Sequence, residues 1–451
     1  MRYLTEIRVK RLLGRFDHKI AFPRQDEFII LHGPNGVGKT KVLELIHALS
    51  EPLQVHKIAR IPFGSAELAY SDGSVLEVIR NYQETLPLGE QLEKKVRQVH
   101  LSLRLPGVRD PIRWYTKFDS DDINVVRVRE YLSRSLAIEQ VGVDLWEDAS
   151  GSIFSTSELL EIYGDRLPAS AFRTSQEKRI PSRLREFLAG NDVHLIETQR
   201  LLGLQPPRTS HPRTGRLARS IKVEEFAQDL SRRLGEALAE NSRVSQELDR
   251  TYPTRLLAAQ SEFPDEQKIR ARYAEQNEFR RRLAEISVLD EKSGGIIIPD
   301  GMEPWQKNVL WTYLQDSDKK LSTFRYILDR VNLLQEIVNS RFLYKRLEVD
   351  RKRGLKVITD EGAELGLSML SSGEQHELVL LYDLLFNVSP GALVLIDEPE
   401  ISLHVSWQKR FIEDLRRISS LVEFRSIVAT HSPQIAAKWV DRMITLAPES
   451  E

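Results

Sequence analysis

The chain has 451 residues, room for about three structural units or for one large domain that carries an insertion. Hydrophobic residues make up 41% and charged residues 29%, which excludes a disordered or collagen-like chain and leaves ample material for a core. Lys and Arg total 65 against 66 Asp and Glu, a net charge of −1, so any nucleic-acid contact has to come from a local patch; the absence of cysteine excludes disulfides, thiolate metal sites, iron–sulfur clusters and cysteine nucleophiles.

Residues 1–20 are charged throughout, with no leader-like apolar stretch, and no run approaches the ~18 apolar residues of a membrane span. The expectation is a cytoplasmic protein without membrane contact. Residues 3–31 hold short strand-like pieces that end in the apolar run Phe28–Leu31, followed by GPNGVGKT at 33–40. Val42, Leu43, Ile46 and Leu49 then recur at helical spacing. Two strand-like runs flank Asp72-Gly73 and predict a hairpin. Further strand-like runs lie near 98–105 and 193–198, so the first part reads as a mixed sheet.

QPPRTSHPRTGR at 205–216 has the composition of a loop or linker. Helical patterns follow at 222–250, 265–291 and 303–342, broken by Pro253, Pro264, Gly294-Gly295 and Pro299. They lack sustained heptads, which favours a compact helical insertion or short arm over a long coiled coil. Strand patterns return from about 343. Next comes SMLSSGEQHELVLLYDLLF, where Leu378, Leu381 or Tyr382, and Leu385 form one helical face. Ala392–Ile396 reads as a buried parallel strand. A helix at 404–419, a strand Arg425–Ala429, a short helix and a strand Met443–Leu446 complete the pattern. Strands alternating with helices predict an α/β parallel sheet. The expected division is a head built from 1–205 and 345–451, with a helical insertion at 206–344.

GPNGVGKT matches G-x-x-x-x-G-K-[ST] between a predicted strand and a helix. Gly33, Gly36 and Gly38, with Asn35 between them, let backbone N–H groups turn inward around phosphates at a helix N-terminus. Lys39 can reach the β- and γ-phosphates, and the Thr40 hydroxyl can hold Mg2+. A glycine-rich turn before a helix would look similar. With glycine at about 7% of residues, however, a chance match in a chain of this length is on the order of a per cent.

LVLIDEPE at 393–400 puts Asp397 at the carboxyl end of its strand, placed for a Mg2+ shell, and Glu398 one residue nearer the γ-phosphate, placed to polarise water. An acidic turn after a buried strand is the plainer reading, and the P-loop upstream weighs against it. LSSGEQ at 370–375 taken alone is an ordinary capped helix start. Its position shortly before the carboxylate strand makes Ser371 and Gly373 a second phosphate-facing surface. His431 in ATHSP follows a predicted strand and is either structural or a sensor of the γ-phosphate. Gln199 in ETQRLL follows Val193–Ile196 and is either a plain loop residue or a contact to Mg2+ and the attacking water.

Thr116-Lys117-Phe118-Asp119 matches a guanine-reading pattern but follows no buried strand, and it reads as a chance match. The histidines show no metal-ligand spacing, and Asp121-Asp122 reads as a solvated turn. Arg200, Arg208, Arg213, Arg216, Arg219 and Lys222 occur with no acid between 198 and 223. They form a solvated linker or a contact to phosphates or an acidic partner. The stretch has no aromatics, which argues against base stacking there.

The ordered set GPNGVGKT, ETQ, LSSGEQ, LVLIDEPE and THS resembles the ABC-type ATPase head of the RecF/SMC/OLD group, over about 1–205 and 345–451. The resemblance implies an α/β P-loop ATPase head, a mixed sheet with flanking helices, interrupted by a helical insertion. It implies Walker A roles for Lys39 and Thr40, a Q-loop role for Gln199 and a signature role for Ser371 and Gly373. Asp397 and Glu398 become the Walker B pair and His431 the switch histidine. Two positions depart from the group's pattern: Ser372-Gly373 replaces a glycine pair, and His404 stands where an aspartate is usual.

Within that group, LSSGEQHELVLLYDLLF, IDEPEISLHVSWQ and HLIETQRLL look most similar to the AriA-type ATPases of PARIS anti-phage systems. This likeness implies slow, Mg2+-dependent ATP hydrolysis between paired heads in a homo-oligomer, from dimers to a hexamer. It also implies a separate Toprim nuclease of the AriB type, held until a phage-encoded protein triggers release. Only residues 432–451 follow His431, too few for a Toprim domain. The alternative is a RecF/SMC-like ATPase of genome maintenance that binds DNA directly. A transporter subunit is disfavoured by the large insertion.

Overall fold

The computed structural model describes residues 2–22, 27–50, 53–83, 96–118, 128–129, 131–133, 138–142, 145–148, 152–155, 180–197, 222–258, 264–288, 296–299, 301–401 and 404–446. Its first elements are β1 (Leu4–Leu12), β2 (Phe16–Ala21), β3 (Phe28–His32), α1 (Lys39–Ala48) and α2 (Val55–Arg60). Strands β4 (Ser65–Tyr70), β5 (Val75–Gln83), β6 (Val96–Arg104) and β7 (Ile112–Phe118) follow. Three short strands come next, β8 (Glu139–Gln140), β9 (Leu145–Glu147) and β10 (Ile153–Ser155), then α3 (Ser182–Ala189) and β11 (Val193–Ile196). The long helices are α4 (Lys222–Leu257), α5 (Glu266–Glu285) and α6 (Pro304–Asn339). They precede β12 (Lys345–Asp350), β13 (Gly354–Thr359), β14 (Glu364–Leu365) and α7 (Ser372–Phe386). The chain ends through β15 (Leu393–Asp397), α8 (Val405–Gln408), α9 (Phe411–Val422), β16 (Arg425–Thr430), α10 (Pro433–Ala436) and β17 (Met443–Thr445). No described helix is long and apolar enough to cross a membrane.

Two compact units emerge: residues 1–220 with 388–451, and residues 221–387. In the first, the strands that patterning groups into one mixed sheet divide between two sheets. One is antiparallel, in the order β2-β1-β4-β5-β6-β7. The hairpin at Asp72-Gly73 joins β4 to β5, and Gly73 takes φ +85° to make the turn. Along β4 buried residues alternate with half-buried ones, as one packed face requires. The other sheet has the order β11-β15-β16-β3-β17, and every pair in it is parallel. Its strands read as near-continuous apolar runs, FIILH, LVLID and RSIVAT, because both faces are covered. One apolar core joins the sheets, with Ile7, Val9 and Leu12 from the first, Leu31, Leu395 and Ile427 from the second, and Val42, Leu45 and Ile46 of α1.

In the second unit β12–β13–β14 form a sheet of their own. The sequence pattern groups 345–387 with the head, yet these residues pack with the long helices. Asn339 on α6 exchanges hydrogen bonds with Leu347 on β12, at 3.1 Å and 2.6 Å. Ser231 on α4 donates to the Arg351 and Lys352 carbonyls in the β12–β13 turn. A Cβ at Gly354, which has φ +76°, would overlap the Ala227 carbonyl of α4. Tyr382 on α7 donates to Asp229 on α4 at 2.8 Å, and Arg330 on α6 donates to the Leu385 carbonyl at 2.8 Å. The one-sided face expected for α7 is an underestimate, since Glu377 to Phe386 are all buried. Pro253 does not break α4 either. It lies inside the helix, in its last turns, and the helix continues past it to Leu257 although the Pro253 nitrogen cannot donate to the Asp249 carbonyl.

Candidate functional site

Because the second sheet of the head is wholly parallel, its strands all deliver their carboxyl ends to one edge. Thr430 pairs with His32, Asp397 with Ala429, and Ile196 with Ile396. The segments after β3, β15, β16 and β11 therefore leave the sheet on the same side.

After β3 the glycine-rich loop turns into α1. Gly36 and Gly38 have φ of +87° and +93°, conformations in which a Cβ is strained. A Cβ on Gly33 would collide with the Leu446 carbonyl, and one on Gly38 would sit 2.5 Å from Leu12 Cδ2. Space thus favours glycine at 33, backbone conformation favours it at 36, and both do at 38. Helix α1 has no side-chain N-cap and no acid in its first turn, which leaves its first N–H groups to an incoming anion. Buried Lys39 curls over the loop and donates from Nζ to the Gly33 and Pro34 carbonyls at 2.8 Å and 3.0 Å. His18 of β2 contacts the Val37 carbonyl at 2.8 Å through Nε2 and props the loop from beneath.

Thr40 and Asp397 meet although 357 residues separate them. Thr40 Oγ1 lies 3.1 Å and 3.0 Å from the two oxygens of the buried Asp397 carboxylate. Glu398 follows with φ +43°, which costs a non-glycine residue roughly 1–2 kcal/mol. Its backbone N–H continues the ladder to the Ala429 carbonyl at 2.8 Å. The left-handed turn lets the Asp397 side chain stay buried while the Glu398 side chain is a quarter exposed. His431 Nδ1 lies 3.5 Å from Glu398 Oε1 and 3.4 Å from Glu400 Oε1.

Sequence reading gave Glu400 no role. It is buried, and its Oε1 accepts from the Thr430 hydroxyl at 2.7 Å and from the His431 N–H at 3.0 Å. Oε2 is buried with no hydrogen-bond partner among the described residues, an arrangement that costs about 1–3 kcal/mol. The available signals were the second glutamate of LVLIDEPE and the hydroxyl residues either side of His431. His18 went unassigned for the same reason: its contact is tertiary.

His404, where the group carries an aspartate, retains a capping task. Its Nδ1 accepts from the Ser406 N–H at 3.3 Å at the start of α8. In the other unit, Ser371 and Gly373 form the N-terminus of α7. Ser371 and Glu374 make a capping box: Ser371 Oγ accepts from the Glu374 N–H at 3.4 Å, and Glu374 Oε2 from the Ser371 N–H at 3.0 Å. Ser371 and Ser372 are exposed. Burial works to raise the Glu374 pKa, but hydrogen bonds from Lys345 and Ser371 bring it below its usual value. Gln199 and the basic residues Arg200, Arg208, Arg213, Arg216 and Arg219 lie outside the described residues. Thr116 and Lys117 belong to β7, paired across to β6, while Asp119 lies outside the described residues.

A parallel sheet with a glycine-rich loop between β3 and α1, and carboxylates at the end of β15, defines an α/β fold of the P-loop class. The chain belongs to the family described as "AAA domain, putative AbiEii toxin, Type IV TA system", which matches residues 28–437. It is similar to the "Retron Ec83 probable ATPase" of Escherichia coli, 31% identical over 103 residues, or 20% of this chain and 19% of that protein. It is also similar to "Protein ea59" of Escherichia phage lambda, 31% identical over 135 residues, or 29% of this chain and 24% of that one. The chain thus spans less than a quarter of the length of these curated relatives. Among solved structures it is similar to a Pyrococcus furiosus Smc head domain with an extended coiled coil, bound to the C-terminal domain of ScpA. That match has 14% identity and a TM-score of 0.38, covering 99% of this chain and 93% of that one. An SMC head domain from Thermotoga maritima has 12% identity and a TM-score of 0.29, covering 96% and 91%. Likenesses this loose carry no functional information.

Proposed function

We propose that the chain binds ATP with Mg2+ at the carboxyl edge of its parallel sheet and hydrolyses it slowly between two paired heads. The observation that carries this reading is the convergence of Lys39, Thr40 and Asp397, a cation, a hydroxyl and a carboxylate brought together at the mouth of a glycine-rich loop. Gly33, Asn35, Gly36 and Gly38 would offer backbone to the phosphates, and Lys39 would exchange its two carbonyl partners for phosphate oxygens. The Thr40 hydroxyl and Asp397 carboxylate are hard oxygen donors that suit Mg2+, with Gln199 as a further ligand in this proposal. Mg2+, when bound, supplies positive charge against the phosphate oxygens. Glu398 orients the attacking water, and His431 beside it contacts the γ-phosphate. Ser371 and Gly373 act on the nucleotide of the facing subunit. Phosphoryl transfer needs mainly positioning and charge neutralisation, which such a sandwich provides.

The biological reading is a sensor and scaffold of anti-phage defence, an AriA-like ATPase of the PARIS type. In it the oligomer, a head dimer or a hexamer built from dimers, holds a separate Toprim nuclease of the AriB type and releases it on contact with a phage-encoded trigger. Support comes from the resemblance of LSSGEQHELVLLYDLLF, IDEPEISLHVSWQ and HLIETQRLL, and from the partial match to a retron's probable ATPase. The test is Lys39→Ala in purified protein and in cells carrying the chain with its neighbouring genes. ATP turnover should fall at least a hundredfold and phage restriction should vanish, since the phosphates lose their main cation. Turnover near wild type rejects the site. Restriction that needs no nuclease partner rejects the scaffold role, and tight DNA binding by the isolated chain favours genome maintenance instead.

A further inference from the structure

Beyond Asp397 and Ala429 the backbone pairing of β15 with β16 ends on one bond, from the Glu398 N–H to the Ala429 carbonyl. From there side chains carry the connection, and they close a circuit. Thr430 Oγ1 donates to Glu400 Oε1 at 2.7 Å and accepts from the Ser432 N–H at 2.9 Å. The Ser432 hydroxyl donates to Gln408 Oε1 at 2.8 Å, and Gln408 Nε2 returns to the Glu400 carbonyl at 3.4 Å. The His431 N–H is held inside this circuit, on Glu400 Oε1 at 3.0 Å.

We propose that Glu400 is a positioning residue, whose carboxylate clamps the turn carrying His431 to the loop after β15 and so fixes the imidazole beside Glu398. This rests on reading the site as an ATPase. Two observations carry it. First, one oxygen does the fastening for two consecutive residues, Thr430 through its hydroxyl and His431 through its backbone, so the side chain directs the turn rather than merely filling space. Second, the other oxygen is buried without a partner among the described residues, a cost that an apolar residue in the same place would avoid. A buried carboxylate kept half-satisfied calls for a compensating task, and its distance to the His431 ring, 3.4 Å, identifies the task. Glu398 and Glu400 flank the same imidazole. Releasing the turn would therefore move His431 away from the residue proposed to orient water.

The experiment compares Glu400→Ala, Glu400→Gln and Thr430→Val with wild type, using ATP turnover and backbone hydrogen exchange over residues 429–433. Glu400→Ala should lower kcat at least tenfold with KM for ATP within threefold, because the P-loop is held by other contacts. The His431 and Ser432 amides should exchange at least tenfold faster. Glu400→Gln keeps an oxygen that can accept from Thr430 and His431, so it should restore kcat and exchange to within threefold of wild type. Thr430→Val removes one strut of the circuit and should give an intermediate defect, which covers an alanine variant that fails to fold. Unchanged exchange in both Glu400→Ala and Thr430→Val overturns the clamp. A glutamine variant as defective as alanine overturns it too, as does a loss shared equally between kcat and KM. If wild type shows no turnover, the ATPase reading fails, while the exchange comparison still decides whether Glu400 holds the turn.

Discussion

His47 sits in the last turn of α1, the helix that begins at the phosphate loop. Burial is the main reason its pKa falls from 6.5 to about 4, and nearby Lys57 adds to the fall. The Gln54 side chain contacts its Nε2 at 3.2 Å. The folded protein therefore keeps this imidazole neutral down to about pH 4, while the unfolded chain protonates it near pH 6.5. Between those values the unfolded state binds more protons, so stability rises with pH and is lost on acidification. At about 1.4 kcal/mol per pKa unit, discounted for partial exposure, the loss attributable to His47 between pH 7 and pH 5 is roughly 1–2 kcal/mol. His47→Gln should flatten the acid limb by that amount. Urea unfolding of both proteins at pH 7 and pH 5 measures it, and equal slopes would remove His47 as the cause. At this scale the sequence was most legible where chemistry is local. Lys39, Thr40 and Asp397 announce themselves because each sits in a short motif with a fixed relation to a strand end. His18 and Glu400 do not, because their partners Val37 and Thr430 are reached only after the sheets assemble.

Among elements, α7 shows how local signals and tertiary structure divide the work. Its start is written in four residues: Ser371 and Glu374 satisfy each other's backbone N–H groups, and Lys345 steadies the Glu374 carboxylate at 3.0 Å. Ser371→Ala should cost about 1 kcal/mol of stability in the unit formed by residues 221–387, and Ser371→Gly only a few tenths. Denaturant midpoints of the two variants test this. If both variants unfold at the wild-type midpoint, the cap contributes nothing. The rest of α7 could not be read this way. A periodic face predicts a helix half in solvent, whereas Tyr382 stacks on Phe226 of α4 with ring centres 4.5 Å apart and the Leu381 and Leu384 side chains are buried as well. The same blindness shifts the domain boundary. Strand patterns at 345–359 look alike whether they join a large sheet or make a small one, and only the contacts to α4 and α6 assign them. The parallel sheet, by contrast, was visible because strands covered on both faces need unbroken runs of Val, Ile and Leu.

For the whole molecule, the question is whether ATP at the proposed site makes subunits pair. The first unit carries Lys39, Thr40, Asp397 and Glu398, and the second carries Ser371 and Gly373 at an exposed helix start, with Met369 beside them 72% exposed. In the proposed sandwich each nucleotide joins the first set from one subunit to the second set from another. Glu398→Gln separates binding from turnover. The amide keeps the shape of the carboxylate and can occupy the same left-handed turn, but it cannot take a proton from water, and Lys39, Thr40 and Asp397 are untouched. Turnover should therefore fall at least a hundredfold while ATP stays bound. Paired subunits should accumulate with Mg-ATP and disperse when ATP is removed, whereas Lys39→Ala should not pair at any ATP concentration. Mass measurement in solution, with and without Mg-ATP, reads this directly. A Glu398→Gln protein that binds ATP but shows the same mass in both conditions would reject nucleotide-driven pairing and leave hydrolysis within a single head as the mechanism. If pairing is seen, the same variant decides the scaffold role. If the ATPase cycle gates the proposed Toprim partner, the variant should retain that partner through affinity purification yet fail to restrict phage.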